Sequence, residues 1–277
     1  MEIKNDIKSD IEKIYKQDLV ISIDKNYIPN GEIYLRNLIF SIFSNPNDSE
    51  DMDYYLLAEG IFWSIGELIN NANKANNRWA ILENALFQRI LKEDPNQNPE
   101  MVKEDIQDAI ENNQTDILKK YGLDNIDLTA SILNLIERYK TNSFALSEKF
   151  NKKINVTLRI LKKNNGEHFL VNVINNSPVT VIDKQRIEYN LNKIRDDLIN
   201  ANKNPFEAAI QLYQKEADTA GGGFGAGLRS IVLFLKSGYE PFEVDIIFTK
   251  LIQYRSAMKN TIFTIEVPIP TKKKEKR

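Results

Sequence analysis

A change of hydrophobic period at Ile154 constrains this chain more than any other feature. Upstream of it, apolar residues recur mostly at helical spacing. From it, Ile154, Val156, Leu158 and Ile160 alternate with Asn155, Thr157 and Arg159, the pattern of an antiparallel strand with one wet face. Asn164-Asn165-Gly166 then turns the chain into Phe169, Val171 and Val173, which share a face. Parity along that second strand puts Asn175 on the same inward side, at the strand's end. Leu19-Val20-Ile21-Ser22-Ile23 is short, β-branched and ended by Asp24-Lys25-Asn26, so it reads as a strand too. Two further alternating runs, 242–249 and 261–267, joined by a polar turn, close the chain. The fold class expected is α+β.

The helical part divides at its breakers. Residues 31–43 place Ile33, Leu35, Leu38, Ile39 and Ile42 at helical spacings, and Asn45-Pro46-Asn47-Asp48 interrupts them before a longer helix begins near Asp51. That helix carries Leu57, Ile61, Ile65, Leu68 and Ala72 as one stripe, with a polar stripe beside it. Residues 77–150 are charged and helix-rich, with Pro95 and Pro99 interrupting and Leu128, Ile132, Leu135, Ile136 and Tyr139 marking another amphipathic helix; they read as a helical insertion. A charged helical stretch, 183–217, leads through Gly221-Gly222-Gly223-Phe224-Gly225-Ala226-Gly227 into a short helix at 228–236. The organisation expected is an N-terminal strand and helix (1–50), a principal domain (51–270) holding the insertion, and a basic tail (271–277).

Several function classes are excluded by composition. A length of 277 residues is about two domain equivalents, enough for one large core with an insertion. Lys and Arg number 37 against 39 Asp and Glu, a net charge of −2, so the chain is no general nucleic-acid binder. There is no cysteine, which removes disulfides, thiolate metal sites and cysteine nucleophiles. The best apolar run, 231–235, stops at Lys236, far short of the ~18 residues a spanning helix needs, so no membrane is expected. The amino end carries charges of both signs and no apolar h-region, which makes the cytoplasm the expected location. A single histidine, His168, excludes multi-histidine metal sites, and its place beside the turn predicts a solvated hairpin residue.

Two segments carry chemistry. Glu67, Asn71 and Lys74 stand at i, i+4 and i+7, one column on a helix of 3.6 residues per turn. A carboxylate, an amide oxygen and an ammonium so aligned can orient a nucleophile, ligate Mg²⁺ through oxygen and neutralise phosphate charge. Taken alone, the column also describes an exposed Glu/Lys helix face. The glycine segment fails as a P-loop, because no Lys-Ser or Lys-Thr follows it, and fits a dinucleotide fingerprint poorly, because no strand precedes it. Glycines leading into an apolar helix can still crowd backbone N–H groups around an anion at the helix's positive end; a flexible linker is the bland alternative.

In this order, the segments resemble the GHKL ATP-binding family of histidine kinases, gyrases, heat-shock chaperones and mismatch-repair ATPases. Glu67 to Asn71 with Lys74 resembles the family's N-box, residues 171–178 its adenine-binding segment, and Gly223-Phe224-Gly225-Ala226-Gly227-Leu228 its GxGxGL box. Asn260 to Pro268 is similar to the closing strand of the histidine-kinase branch. The resemblance covers residues about 50–76 and 152–270 and leaves the insertion unmatched. It implies a two-layer α/β sandwich of the Bergerat type, with a mixed, largely antiparallel sheet and helices on one face. It also implies Mg²⁺ and ATP as ligands, with Asn71 ligating the metal, Glu67 as base or water-orienting carboxylate and Lys74 on phosphate. Gly223, Gly225, Gly227 and Leu228 would shape the phosphate loop, and the 183–220 stretch would form a lid.

Three departures from the family pattern matter. Asn175 stands where the family has an Asp that accepts from adenine's exocyclic amine, and a neutral acceptor is weaker by ~1 kcal/mol. Ser177 and Val179 replace glycines nearby. No phosphoacceptor histidine precedes Glu67, and little sequence follows Pro268 for the transducer domain of gyrase-like members. The expected function is therefore Mg-ATP-dependent phosphorylation of a partner protein in trans, in the histidine-kinase branch. The alternative is a catalytically silent or ATP-sensing module that regulates a partner protein.

Overall fold

A computed structural model describes residues 2–23, 30–43, 52–112, 115–123, 151–164, 166–177, 252–257 and 260–269, together with residues 188, 189, 192 and 196. In chain order these form α1 (Glu2–Ile14), β1 (Leu19–Ile23), α2 (Asn30–Phe43), α3 (Met52–Glu93), α4 (Pro99–Asn112) and a 3₁₀ turn (Thr115–Tyr121). Four strands follow: β2 (Ile154–Lys163), β3 (Gly166–Asn175), β4 (Ile252–Ala257) and β5 (Asn260–Pro268). The chain is α+β.

The strands make a five-stranded sheet in the order β1-β2-β3-β5-β4, and every described pairing is antiparallel. The β2–β3 hairpin sets the register, with Ile160 opposite Phe169, Leu158 opposite Val171 and Ile154 opposite Asn175. Gly166 opens β3 with φ of 126°, a backbone conformation that a Cβ disfavours. β5 lies on the other side of β3, with Ile265 opposite Val171 and Thr261 opposite Asn175. The run 242–249, expected to pair with the last strand, lies outside the described residues; on the edge of β5 away from β3 the described partner is β4.

One face of this sheet carries the core. Val156, Leu158, Phe169, Val171, Val173, Ile265 and Val267 are buried against Ile61, Ile65, Leu68 and Ala72 of α3 and Leu35, Leu38, Ile39 and Phe43 of α2. Ile61, Ile65, Leu68 and Ala72 of the stripe read in α3 are the residues that pack, while the Leu57 side chain lies outside the described residues, and Phe43 meets Phe169 edge to face at 5.6 Å. Each fully buried aliphatic side chain contributes about 1.5–3 kcal/mol by leaving water. α1 adds Ile7 and Ile14 to the same cluster. It was not foreseen in the sequence, although Ile3, Ile7, Ile11 and Ile14 repeat at helical steps. Ile33, expected on the buried face of α2, is exposed, because two residues of helix carry it about 200° around from Leu35.

α3 runs 42 residues without interruption, so the insertion expected from about residue 77 does not begin at a break in the chain. The packing changes there instead. Trp79, Leu82, Leu86 and Ile90 leave the sheet and form a second core with Val102, Ile106, Ala109 and Ile110 of α4 and Leu118 of the 3₁₀ turn. Pro99 opens α4 at a position that needs no N–H donor, and Asn98 caps it by accepting from the Glu100 N–H at 2.9 Å. The helix expected around 128–139 lies outside the described residues.

His168 departs from expectation: it is buried, not solvated. It faces away from the core, but β5 flanks it, and its Nδ1 stands 2.7 Å from Glu266 Oε1, an oxygen that also pairs with the Lys163 ammonium. Among the described residues, no helix is long and apolar enough to cross a membrane.

Candidate functional site

Two of the stretches singled out in the sequence, the middle of α3 and the end of β3, meet beside the start of β5. Ile61, Ile65, Leu68 and Ala72 point α3 at the sheet, and consecutive residues stand about 100° apart around a helix. Asn71 therefore lies on the flank of that stripe and Asn76 continues it, four residues past Ala72. The column is graded in exposure: Glu67 is half-buried, Asn71 is 5% exposed, and Lys74 is open to water.

Facing α3 is the end of β3. Asn175 is 3% exposed, as parity required, and its Nδ2 donates to Asn76 Oδ1 at 3.2 Å and to the Ser177 carbonyl at 3.3 Å. Asn76 in turn donates through its own Nδ2 to the Lys153 carbonyl, just ahead of β2, at 3.2 Å. Thr261 of β5 donates its hydroxyl to the Ser177 carbonyl at 2.7 Å. Asn176 closes the hairpin base by accepting from the Lys153 N–H at 2.5 Å and donating to the Asn151 carbonyl at 2.7 Å. Asn151 sits at φ of 53°, the left-handed conformation that Asn tolerates better than most residues.

Two buried side-chain oxygens, Asn71 Oδ1 on α3 and Ser177 Oγ just after β3, find no hydrogen-bond partner among the described residues. An unpaired buried polar atom costs about 1–3 kcal/mol, so it needs a reason. An amide oxygen is a hard ligand of the kind Mg²⁺ takes, and Mg²⁺ in nucleotide sites is held by few protein oxygens, with phosphate and water completing the octahedron. The residues present fit such an ion. Among the described residues no group of three or more His, Asp or Glu could hold a metal by itself.

A second buried polar contact holds the frame. Glu83 of α3 pairs with Lys152 at 2.9 Å, Gln107 of α4 donates to Glu83 at 3.2 Å, and the Lys152 ammonium lies over the Trp79 ring at 5.4 Å from its centroid. Lys152 precedes Lys153, whose carbonyl anchors Asn76, so this ion pair fixes the start of β2 relative to α3.

No family model, curated protein or solved structure matches the chain.

What the site can do rests on its own atoms. Asn71 and Asn175, read from the sequence as metal ligand and base acceptor, are both buried, and Asn175 is hydrogen-bonded to Asn76 of the helix that carries Asn71. Glu67 and Lys74 flank Asn71 on the same helix, toward solvent. Gly223, Gly225, Gly227 and Leu228, and the lid expected at 183–220 apart from residues 188, 189, 192 and 196, lie outside the described residues. Sequence reasoning missed Asn76, Thr261 and the Lys153 carbonyl. For Asn76 a signal existed: it is a polar residue at the next position of an otherwise apolar stripe, where burial demands a partner.

Proposed function

We propose that this protein binds Mg-ATP in the manner of the GHKL family and transfers its terminal phosphoryl group to a partner protein in trans. The observation that carries the reading is the buried, unpartnered Oδ1 of Asn71 on the helix that also bears Glu67 and Lys74. Phosphoryl transfer needs positioning and charge neutralisation more than covalent help from the protein. Bound Mg²⁺ would supply charge neutralisation at the phosphates. Asn71 would hold the ion through Oδ1, Lys74 would approach the phosphates from the solvent side, and Glu67 would act as base toward the attacking nucleophile. Asn175 would accept from the base.

His168 stands with its Nδ1 against Glu266 near the start of β3, whereas Asn175 ends that strand, so we do not take it as the acceptor for the phosphoryl group. The acceptor is then a non-histidine residue or lies on another protein, and we take it to lie on a partner. Titration with Mg-ATP should stabilise the fold by about 2.7 kcal/mol at a hundredfold excess over Kd, read as a thermal shift. A flat response would overturn the reading. With γ-labelled ATP and cell extract, a labelled protein that disappears with Glu67→Gln, while nucleotide binding persists, supports the kinase. Nucleotide binding without label supports a silent, ATP-sensing module instead.

A further inference from the structure

We infer that Asn76 is a positioning residue that locks the amide of Asn175 into a one-way hydrogen-bond acceptor, and so selects 6-amino purine nucleotides over 6-keto ones. The inference rests on the nucleotide-binding reading above and adds to it the origin of base selectivity. A carboxylate can only accept. A free amide has no such constraint, since turning it by half a revolution exchanges its NH₂ and C=O faces, and a site with a loose Asn would serve an amino base and a keto base alike.

The polarity here is set from two backbone carbonyls, which accept and never donate. The Lys153 carbonyl requires the NH₂ of Asn76, at 3.2 Å, so Asn76 must turn its oxygen to Asn175. Asn175 answers with its NH₂, at 3.2 Å, and sends its second proton to the Ser177 carbonyl at 3.3 Å. Both protons of Asn175 are then spent inside the protein, and Oδ1 is the side-chain atom left for a ligand. Reversing Asn175 would set its oxygen against the oxygens of Asn76 and Ser177 at once, and reversing Asn76 with it would set oxygen against the Lys153 carbonyl. Asn76 is 2% exposed and Asn175 3%, so water is not there to compensate. Thr261 holds the Ser177 carbonyl from the other side at 2.7 Å and keeps that anchor in place. A neutral residue thereby does what a carboxylate would do.

The test compares ATP with inosine triphosphate, which differs in presenting a 6-keto oxygen and a protonated N1, by calorimetric titration with Mg²⁺ on the full chain. The unsubstituted protein should prefer ATP by about tenfold or more. Asn76→Leu removes the relay, leaving only the Ser177 carbonyl to orient the Asn175 amide, and should cut the preference for ATP to about half or less. Asn76→Asp keeps an acceptor toward Asn175 and should keep the preference even if it lowers stability. An unsubstituted protein that binds both nucleotides equally overturns the inference while leaving nucleotide binding intact. So does an unchanged ratio in Asn76→Leu. Failure to bind either nucleotide overturns this inference and the proposed function together. Where Asn76→Leu does not fold, the ratio in the unsubstituted protein and in Asn76→Asp still decides.

Discussion

At the scale of single residues, the candidate site separates atoms that hold the fold from an atom that does not. Asn71 Oδ1 is buried without a protein partner, so Asn71→Ala gives up no described hydrogen bond of that oxygen. Its unfolding free energy in urea should stay within about 1 kcal/mol of the parent, while the Mg-ATP thermal shift should vanish. Asn76→Ala is the contrasting case, because it strips an acceptor from Asn175 and a donor from the Lys153 carbonyl. About 1–3 kcal/mol should be lost in the same urea experiment with no ligand present. A reversed order of the two costs would show that Asn71 is structural. His168 teaches a related lesson: a turn-flanking histidine reads as solvated, yet a carboxylate brought in by β5, a hundred residues later, buries it.

At the scale of elements, α3 has two jobs along one continuous rod. Its first half packs on the sheet and carries Glu67, Asn71 and Lys74, and its second half packs on α4 and the 3₁₀ turn. The Glu83–Lys152 pair ties the second half to the start of β2. Glu83→Gln would leave a buried ammonium without its counter-charge and should cost about 3–5 kcal/mol in chemical unfolding. The contact between α4 and the 3₁₀ turn adds a pH dependence. Burial pushes the Asp105 carboxyl up, but hydrogen bonds from Lys120 and Tyr121 and the Lys120 charge hold it below its ordinary value of 3.8. A carboxyl depressed in the folded state contributes stability above its unfolded pKa and loses it as pH falls through the folded one. Urea midpoints should therefore fall below about pH 4 in the parent, and Asp105→Asn should remove that part of the acid dependence.

At the scale of the whole molecule, two clusters share one helix, and among the described residues the Glu83–Lys152 pair also ties the second cluster to the start of β2. Ile106→Ala empties a fully buried position of the second cluster and should cost about 2–5 kcal/mol. Hydrogen exchange should show protection lost in α4 and the second half of α3, with the β2–β3 hairpin amides slower to respond. Equal loss in both would show that the two clusters unfold as one.

Much of this architecture was legible as period. The alternation in β2 and β3 marks the hairpin and puts Asn175 on its inward side, and the pairing in the fold keeps that side, because one-face burial leaves a strand no freedom to slip. The stripe in α3 named its buried face. Periodicity says nothing about which distant carbonyl meets a side chain. The placement of Asn76 against Lys153 and Asn175, 77 and 99 residues away, and of Glu266 against His168 came only from strand order. The end of the sheet-facing packing at Trp79 was equally invisible, because a helix changes partners without changing its own period. By itself, then, the chain of residues determined which elements form and which faces they bury, since those follow from local spacing and the hydrophobic effect. Only the tertiary structure decided which buried polar atoms are paired and which are left open, because hydrogen bonds are directional and short, and their partners come from parts of the chain that folding alone brings together.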